Sequence, residues 1–297
     1  MSPSHTSVRK LLLLVVFAAV SLLAVSVASA AQTPVRNADL TAPTSAGGAK
    51  VLSRMKAPAT PKRSRAGRAS NLLFDGTEIN DFGLQAAPGA ISEVADPDGS
   101  DETVLKMTVG DDDVFPVTPT ENPRAQALSP AIIDQGEEFW LQTKFMLPED
   151  FPYVPGWMSL VSIYGPPFAG SSPWQIGVNE SELRWQRDGA HGDDIPWRAP
   201  VVKGHWTTIL MHERFDTDGF VEMWVDGERV TFFPDGNRNP NHEPQTDHLE
   251  LETMDATNDG GPNSAKIMQY RMADMFQSAS VYFGALKVGA TRAAVEG

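Results

Sequence analysis

The sequence predicts an all-β fold, a sandwich or barrel, which we interpret as two curved antiparallel sheets in jelly-roll order. From residue 71 onward, short β-prone runs alternate apolar and polar positions, which is the period of half-buried strands. The chain contains 24 Gly and 23 Pro, and these residues punctuate it without any long helical apolar stripe. Regularly spaced short strands separated by turn residues are typical of sandwiches and barrels.

The first 70 residues are predicted to lie outside this fold. Residues 1–30 combine Arg9 and Lys10, a long apolar run and the small triplet Ala-Ser-Ala at 28–30, which is the layout of a secretory signal peptide. A membrane anchor is the alternative. Residues 31–70 are basic, rich in Ala, Pro and Ser, and without apolar periodicity, so we predict a flexible linker. We therefore expect a secreted, extracellular protein, with no membrane span once the signal is cleaved.

Residues 71–297 are long enough for one large β domain. Ten of the 24 basic residues and one of the 38 acidic residues precede position 71, which leaves 14 basic and 37 acidic residues in this domain. Such a charge balance argues against nucleic acid as a partner, because phosphate binding needs a basic face. A polyanionic substrate would need a local basic patch. The exported chain has no Cys and hence no disulfides, which, with the acidic balance, fits a bacterial protein.

Strands are predicted in order along this domain. The runs span residues 102–110, 138–148, 158–165, 174–178, 182–189, 205–215, 219–233 and 278–289. Within the run 219–233, the pair Asp226-Gly227 predicts a tight hairpin turn, since Asp-Gly suits the backbone conformation that such turns require.

Several kinds of site are excluded or weakened by the sequence. Without Cys and without a G-x-S-x-G motif, the usual cysteine and serine nucleophiles are missing. The six His residues form no H-E-x-x-H pair; His242 and His248 flank an acidic loop that could hold a metal or simply be solvated. Glu250, Glu252 and Asp255 alternate in ELETMD and could serve a sandwich glycoside hydrolase, although a solvated strand face explains them equally simply.

The segment NSAKIMQYR places Lys266 and Tyr270 four residues apart, so in a strand both side chains point to the same side. Residues 71 to about 290 resemble the jelly-roll polysaccharide lyases of the heparin lyase I and glucuronan lyase type, which have a concanavalin A-like fold. The most recognisable segments are EEFWLQTKFMLPEDFP, HWTTILMHERFDTDGFVEMWVDGERV, and SAKIMQYR followed by SVYFGALKVG.

Three functional strands of those families can be compared with this chain. Where the first usually has R-x-E-L, NPRAQAL supplies Arg124 and puts Gln126 in place of the acid. Where the second has Q-x-H, the nearest segment is Ser-Ile-Tyr, ending at Tyr164. Where the third has Y-F-K-x-G-x-Y-x-Q, only Lys266 and Tyr270 are kept.

The resemblance implies β-elimination at a uronic acid, with Tyr270 transferring protons, Arg124 neutralising the substrate carboxylate and Lys266 and Gln126 contacting substrate. Tyr164 could replace the missing His if a nearby cation stabilised its ionised form. The alternatives are that Arg124 pairs with Glu121 and that Tyr270 is a packed aromatic.

Other residues could line the same cleft. Trp rings stack on sugars while Gln and Arg hold hydroxyls or carboxylates, and the candidates are Trp174, Gln175, Trp185, Gln186, Arg187 and His191. The alternative is that both Trp residues belong to the core.

We thus expect an extracellular polysaccharide as the partner and no required cofactor. Calcium, which some relatives bind, could be held by the acidic runs 110–113 and 254–261, although hydrated loops explain those runs as well. The rival function is a carbohydrate-binding, lectin-like jelly roll that has lost catalysis. The oligomeric state is not indicated.

Overall fold

The structure, a computed structural model, describes residues 71–113, 122–165, 172–187, 195–236, 239, 241, 245–254, 261–275 and 277–297. Two antiparallel sheets make up the fold, which confirms the predicted all-β sandwich. Ten strands form what we call the back sheet: β1 (Leu72–Gly76), β3 (Ile91–Ala95), β4 (Thr103–Val109), β6 (Glu138–Leu147), β11 (His205–Arg214), β12 (Gly219–Val225), β13 (Glu228–Arg229), β14 (Leu249–Leu251), β16 (Ala279–Phe283) and β17 (Leu286–Gly289).

Seven strands form the front sheet, in the spatial order β10-β9-β8-β7-β15-β5-β2. Their bounds are β2 (Gly83–Ala86), β5 (Arg124–Leu128), β7 (Val154–Tyr164), β8 (Trp174–Glu180), β9 (Glu182–Arg187), β10 (Trp197–Pro200) and β15 (Ser264–Arg271). Helical structure in the described ranges is limited to two 3₁₀ turns (Ile79–Asp81 and Ala273–Met275) and α1 (Arg292–Glu296).

Each run predicted from alternation overlaps at least one strand of the structure. The predicted hairpin turn joins β12 to β13, and both of its central residues have positive φ, 52° at Asp226 and 83° at Gly227. The predicted signal peptide and linker, residues 1–70, lie outside the described residues. Among the described helices, none has the length and apolar character needed to cross a membrane.

The core lies between the sheets and is filled by one side-chain set from each strand. Trp174 and Trp185 of the front sheet belong to it, with relative exposures of 1% and 0% and ring centroids 6.0 Å apart. This corrects their assignment as substrate contacts. Each Trp lies on the same side of the sheet as apolar residues such as Ile176. The indole rings therefore point into the core and not outward.

A hydrogen bond between two side chains crosses the core from the front sheet to the back sheet. Trp174 Nε1 donates to Glu213 Oε1 of β11 at 3.1 Å. The other oxygen of this fully buried carboxyl, Oε2, has no hydrogen-bond partner. Burial raises the pKa of Glu213 well above its usual value, and the bond from Trp174 only partly opposes this. Burial therefore favours the neutral form of this carboxyl in the folded protein.

Candidate active site

The front sheet turns one side toward the core and the other outward. Ala125 and Ala127 of β5 and Ile267 of β15 belong to the core cluster, so the residues that alternate with them lie on the outer side, which we call the front face. The front face carries Arg124 and Gln126 from β5, Lys266, Met268 and Tyr270 from β15, Ser159, Ser162 and Tyr164 from β7, Gln175 from β8 and Gln186 from β9.

Backbone pairing aligns these side chains in rows across the strands. Tyr270 lies opposite Arg124 on one side and opposite Ser159 on the other. Lys266 lies opposite Ser162, which in turn lies opposite Gln175. Lys266 and Tyr270 therefore share a face, as their spacing predicts, and that face is not the core.

A local irregularity of the sheet lies beside Tyr270. The register of β15 against β7 shifts between Ile267 and Tyr270, and that of β7 against β8 shifts between Ser159 and Val161. Bulges of this kind re-aim side chains and are common next to functional sites. Here the shift determines which part of β7 faces Tyr270.

Arg124 and Tyr270 form the centre of the front face. The guanidinium carbon Cζ of Arg124 lies 4.4 Å from the centroid of the Tyr270 ring. Arg124 Nε donates to the backbone oxygen of Asn122 at 3.2 Å, and Asn122 Nδ2 lies 3.3 Å from Tyr270 Oη as a donor. The indole of Trp157 meets the same tyrosine edge-on, with centroids 4.9 Å apart. Three side chains, those of Arg124, Asn122 and Trp157, thus meet around one phenol.

Lys266 and Tyr164 form a second contact on this face. The Lys266 ammonium lies 4.6 Å from the centroid of the Tyr164 ring and donates to Gln126 Oε1 at 3.4 Å. The relative exposures of Arg124, Lys266 and Gln126 are 6%, 5% and 2%. These polar groups are therefore mostly buried, and electrostatic interactions are stronger there than at an open surface.

Hydroxyl and amide groups of β7 and β8 continue the front face. Ser159 Oγ donates to Gln175 Oε1, and Ser162 Oγ lies 3.2 Å from Ser172 Oγ. Gln186 of β9 is the backbone partner of Gln175. Neutral donors and acceptors of this type suit sugar hydroxyls and carboxylates.

The electrostatic environment links Arg124 to both tyrosines. Burial lowers the pKa of the Arg124 guanidinium from its usual value, while Tyr270 and Tyr164 oppose that shift, Tyr270 also through a hydrogen bond. Arg124 therefore lies within electrostatic reach of both Tyr270 and Tyr164. Such convergence is what elimination chemistry would need.

Two further sequence predictions have different outcomes. Arg187 lies on the same side of β9 as Trp185 and is the backbone partner of Trp174, so it points away from the front face. This corrects its assignment as a substrate contact. His191 lies outside the described residues. Asn122 and Trp157 were not anticipated, because their contacts with Tyr270 join distant parts of the chain.

The carboxylates considered for a glycoside hydrolase lie elsewhere. Glu250 is part of β14 and pairs with Phe220 in the back sheet. Glu252 follows that strand, and Asp255 lies outside the described residues. In the described ranges, no group of three or more His, Asp or Glu side chains could hold a metal ion. Most of the acidic run 254–261 also falls outside those ranges.

Known proteins resemble this chain in sequence and in structure. A family model described as polysaccharide lyase matches residues 69–249. Among curated proteins, none matches the chain. An endo-β-1,4-glucuronan lyase from the fungus Trichoderma reesei is similar in structure, with 20% identity and a TM-score of 0.56, over 75% of this chain and 98% of that chain.

Two more solved structures match this chain with lower TM-scores. A cellulose-induced protein, Cip1, has 15% identity and a TM-score of 0.45 over 73% of this chain and 94% of its own. A family 7 alginate lyase, A1-II', has 11% identity and a TM-score of 0.46 over 66% of this chain and 82% of its own. The family model covers more than half of the chain, and so this protein belongs to the polysaccharide lyase family.

Proposed function

We propose that this protein is an exported lyase that cleaves a uronate-containing polysaccharide by β-elimination on its front face. The observation that carries the proposal is the contact between the mostly buried Arg124 guanidinium and the Tyr270 ring on the front face. A cation next to a proton-transfer group is the combination that this reaction needs. Export rests on residues 1–30, and mass spectrometry of protein recovered from the medium should show that they have been removed.

The reaction has a defined proton and electron balance. A base removes the proton at C5 of the uronate, the electron pair forms the C4–C5 double bond, and the C4–O bond to the leaving sugar breaks. The leaving oxygen then takes a proton. Arg124 would neutralise the uronate carboxylate, which makes the neighbouring C5 proton acidic enough to leave.

Tyr270 is the group that we assign to proton transfer. In its ionised form it can accept the C5 proton and then deliver that proton to the leaving oxygen, which returns the phenolate for the next cycle. One residue can remove the C5 proton and protonate the C4 oxygen only if it approaches both from the same side of the sugar ring. The C5 proton and the C4 oxygen must then lie on the same side, as they do in glucuronate and mannuronate but not in galacturonate or guluronate.

The remaining side chains of the front face would bind neighbouring parts of the polymer. Lys266 would contact a second carboxylate or hydroxyl, held by Gln126 and the Tyr164 ring. Gln175, held by Ser159, would contact sugar hydroxyls. Tyr164 is the second proton-transfer candidate, and cleavage of galacturonate or guluronate polymers would point to it as a partner of Tyr270.

The test measures the ultraviolet absorbance of the unsaturated product during incubation with glucuronan, polymannuronate, polyguluronate, polygalacturonate and heparin. Glucuronan comes first because the similar fungal structure is a glucuronan lyase. We expect cleavage of at least one polymer and a decrease in kcat of about 100-fold or more for Tyr270→Phe. Tyr282→Phe, on the outer side of the back sheet, is the matched control and should retain full activity.

A second candidate function is a carbohydrate-binding module without catalysis. It is favoured by one feature of β7: Ser162 occupies the position next to Lys266 where the related lyases are expected to carry Gln. Retention of a polymer in a pull-down without any product would support this function. An active Tyr270→Phe variant would also contradict our assignment of the proton-transfer residue.

A further inference from the structure

Asn122 contacts both central residues of the candidate site. Its side-chain nitrogen Nδ2 donates to Tyr270 Oη at 3.3 Å. Its backbone oxygen accepts a hydrogen bond from Arg124 Nε at 3.2 Å. The residue thus fixes the phenol oxygen with one atom and the guanidinium with another.

The local sequence holds Asn122 in place. Pro123 follows it and restricts the backbone of the preceding residue to extended conformations. Beyond the proline, the Arg124 amide donates to the Asp113 oxygen at 2.9 Å, and the Arg271 amide donates to the Pro123 oxygen at 3.2 Å. The Asn122 side chain is therefore presented from a segment that is anchored by the two residues that follow it.

The Tyr270 ring is constrained on its other sides as well. Arg124 lies over the ring face, at 4.4 Å from the centroid, and Trp157 meets the ring edge-on at 4.9 Å. These two contacts limit rotation of the ring, and Arg124 also interacts with Tyr270 through a hydrogen bond. The Asn122 amide adds a directed donor at Oη, because a hydrogen bond depends on the angle as well as on the distance.

We propose that Asn122 is a positioning residue for Tyr270, an inference that rests on the proposed function. Its amide holds Oη at the place where the C5 proton is transferred and stabilises negative charge on that oxygen while the proton is on the substrate. A neutral amide suits this place. A carboxylate there would accept a hydrogen bond from the phenol instead of donating one, and would repel a uronate.

The experiment compares Asn122→Leu and Asn122→Asp, which keep the approximate side-chain shape, with Asn71→Leu as the control. Asn71 Nδ2 makes a similar amide hydrogen bond, 3.4 Å to Thr291 Oγ1, but at the back sheet. NMR of isotope-labelled tyrosine Cζ carbons reports hydrogen bonding at each phenol without substrate. The chain has only four tyrosines, so Tyr270→Phe identifies the resonance of Tyr270.

We expect Asn122→Leu to shift the Tyr270 resonance alone, to leave Tm unchanged, and to lower kcat roughly tenfold, the size of one lost hydrogen bond, with KM nearly constant. Asn122→Asp should lower kcat further and raise KM, because the new carboxylate repels the substrate. Asn71→Leu should change neither the Tyr270 resonance nor kcat.

Two results would overturn the proposal. An unchanged Tyr270 resonance in Asn122→Leu would show that the amide does not hold the phenol, whether or not any polymer is cleaved. A shifted resonance with an unchanged kcat would show that the contact has no part in the reaction. Failure of the proposed function itself is distinct, since Tyr270→Phe would then have wild-type activity or no polymer would be cleaved.

Discussion

On the outer side of the back sheet, basic side chains bond to carboxylates. On the front face, the described contacts of Arg124 and Lys266 are with tyrosine rings and with amide or carbonyl oxygens. On the back sheet, Glu222 accepts hydrogen bonds from Arg229 at 2.7 Å, and lies 3.0 Å from a ring nitrogen of both His212 and His248. A carboxylate fixes the position of a cation and also cancels its charge. A tyrosine ring or an amide only fixes the position.

The difference shows that residue type alone does not reveal a site. Both faces carry aromatic rings with cations over them: Arg229 lies 5.5 Å from the Trp224 ring centroid, and Arg124 lies 4.4 Å from that of Tyr270. The back-sheet arrangement is a self-contained network that stabilises the fold. The front-face arrangement places the Arg124 guanidinium beside Tyr270, the residue that we propose for proton transfer, where it could neutralise a substrate carboxylate.

The largest expected effect comes from removing a guanidinium from each face. Arg124→Met should lower kcat/KM by about 100-fold to 1000-fold, because the substrate carboxylate loses its neutralising partner. Arg229→Met, the same substitution on the back sheet, should leave kcat/KM unchanged. Product absorbance with both variants measures this. Equal losses would mean that the two faces are not functionally different.

A smaller effect is expected from the two lysines. Lys266→Met should raise KM roughly tenfold with little change in kcat, since Lys266 contacts substrate away from the bond that breaks. Lys144, on the back sheet, bonds Glu102 at 2.8 Å, and Lys144→Met should leave KM unchanged. A decrease in kcat for Lys266→Met at constant KM would instead place Lys266 at the reacting atoms.

The smallest effect concerns the carboxyl that joins the two sheets. Since burial raises the pKa of Glu213 above its unfolded value, its stabilising contribution is fully present below the unfolded pKa and is lost as pH rises through the folded pKa. Glu213→Gln keeps an acceptor for Trp174 and cannot ionise. We expect it to raise the free energy of unfolding by on the order of 1 kcal/mol at alkaline pH, with no gain in acid.

Urea unfolding of wild type and Glu213→Gln over a series of pH values measures this difference. Parallel curves for the two proteins would show that Glu213 does not titrate with folding. Activity at neutral pH should be the same in both, because Glu213 faces the core and not the front face.

Strand positions could be read from the sequence because alternation and turn residues are local properties. The hairpin at Asp226-Gly227 is an example: two residues suffice to specify it. The core position of Trp174 was also readable, since Trp174, Ile176 and Val178 share one apolar phase of β8. The candidate site needed the family resemblance, which identified Arg124 and Tyr270.

Other parts of the site had no local signal. Asn122 and Tyr270 are 148 residues apart, and nothing in NPRAQAL indicates their contact. The register shift between Ser159 and Val161 depends on how three strands pack together, not on any motif in β7. Sequence patterns specify which residues share a strand, whereas tertiary packing determines which strands bring them together.

The pairing of the first and last strands has a consequence for engineering. β1 and β17 are antiparallel neighbours, and the Ala290 amide donates to the Asn71 oxygen at 2.6 Å. The two ends of the described domain therefore lie side by side in the back sheet. A short peptide could join them, and the chain could be reopened at the exposed Asp226-Gly227 turn, which would give a circular permutant with the front face intact.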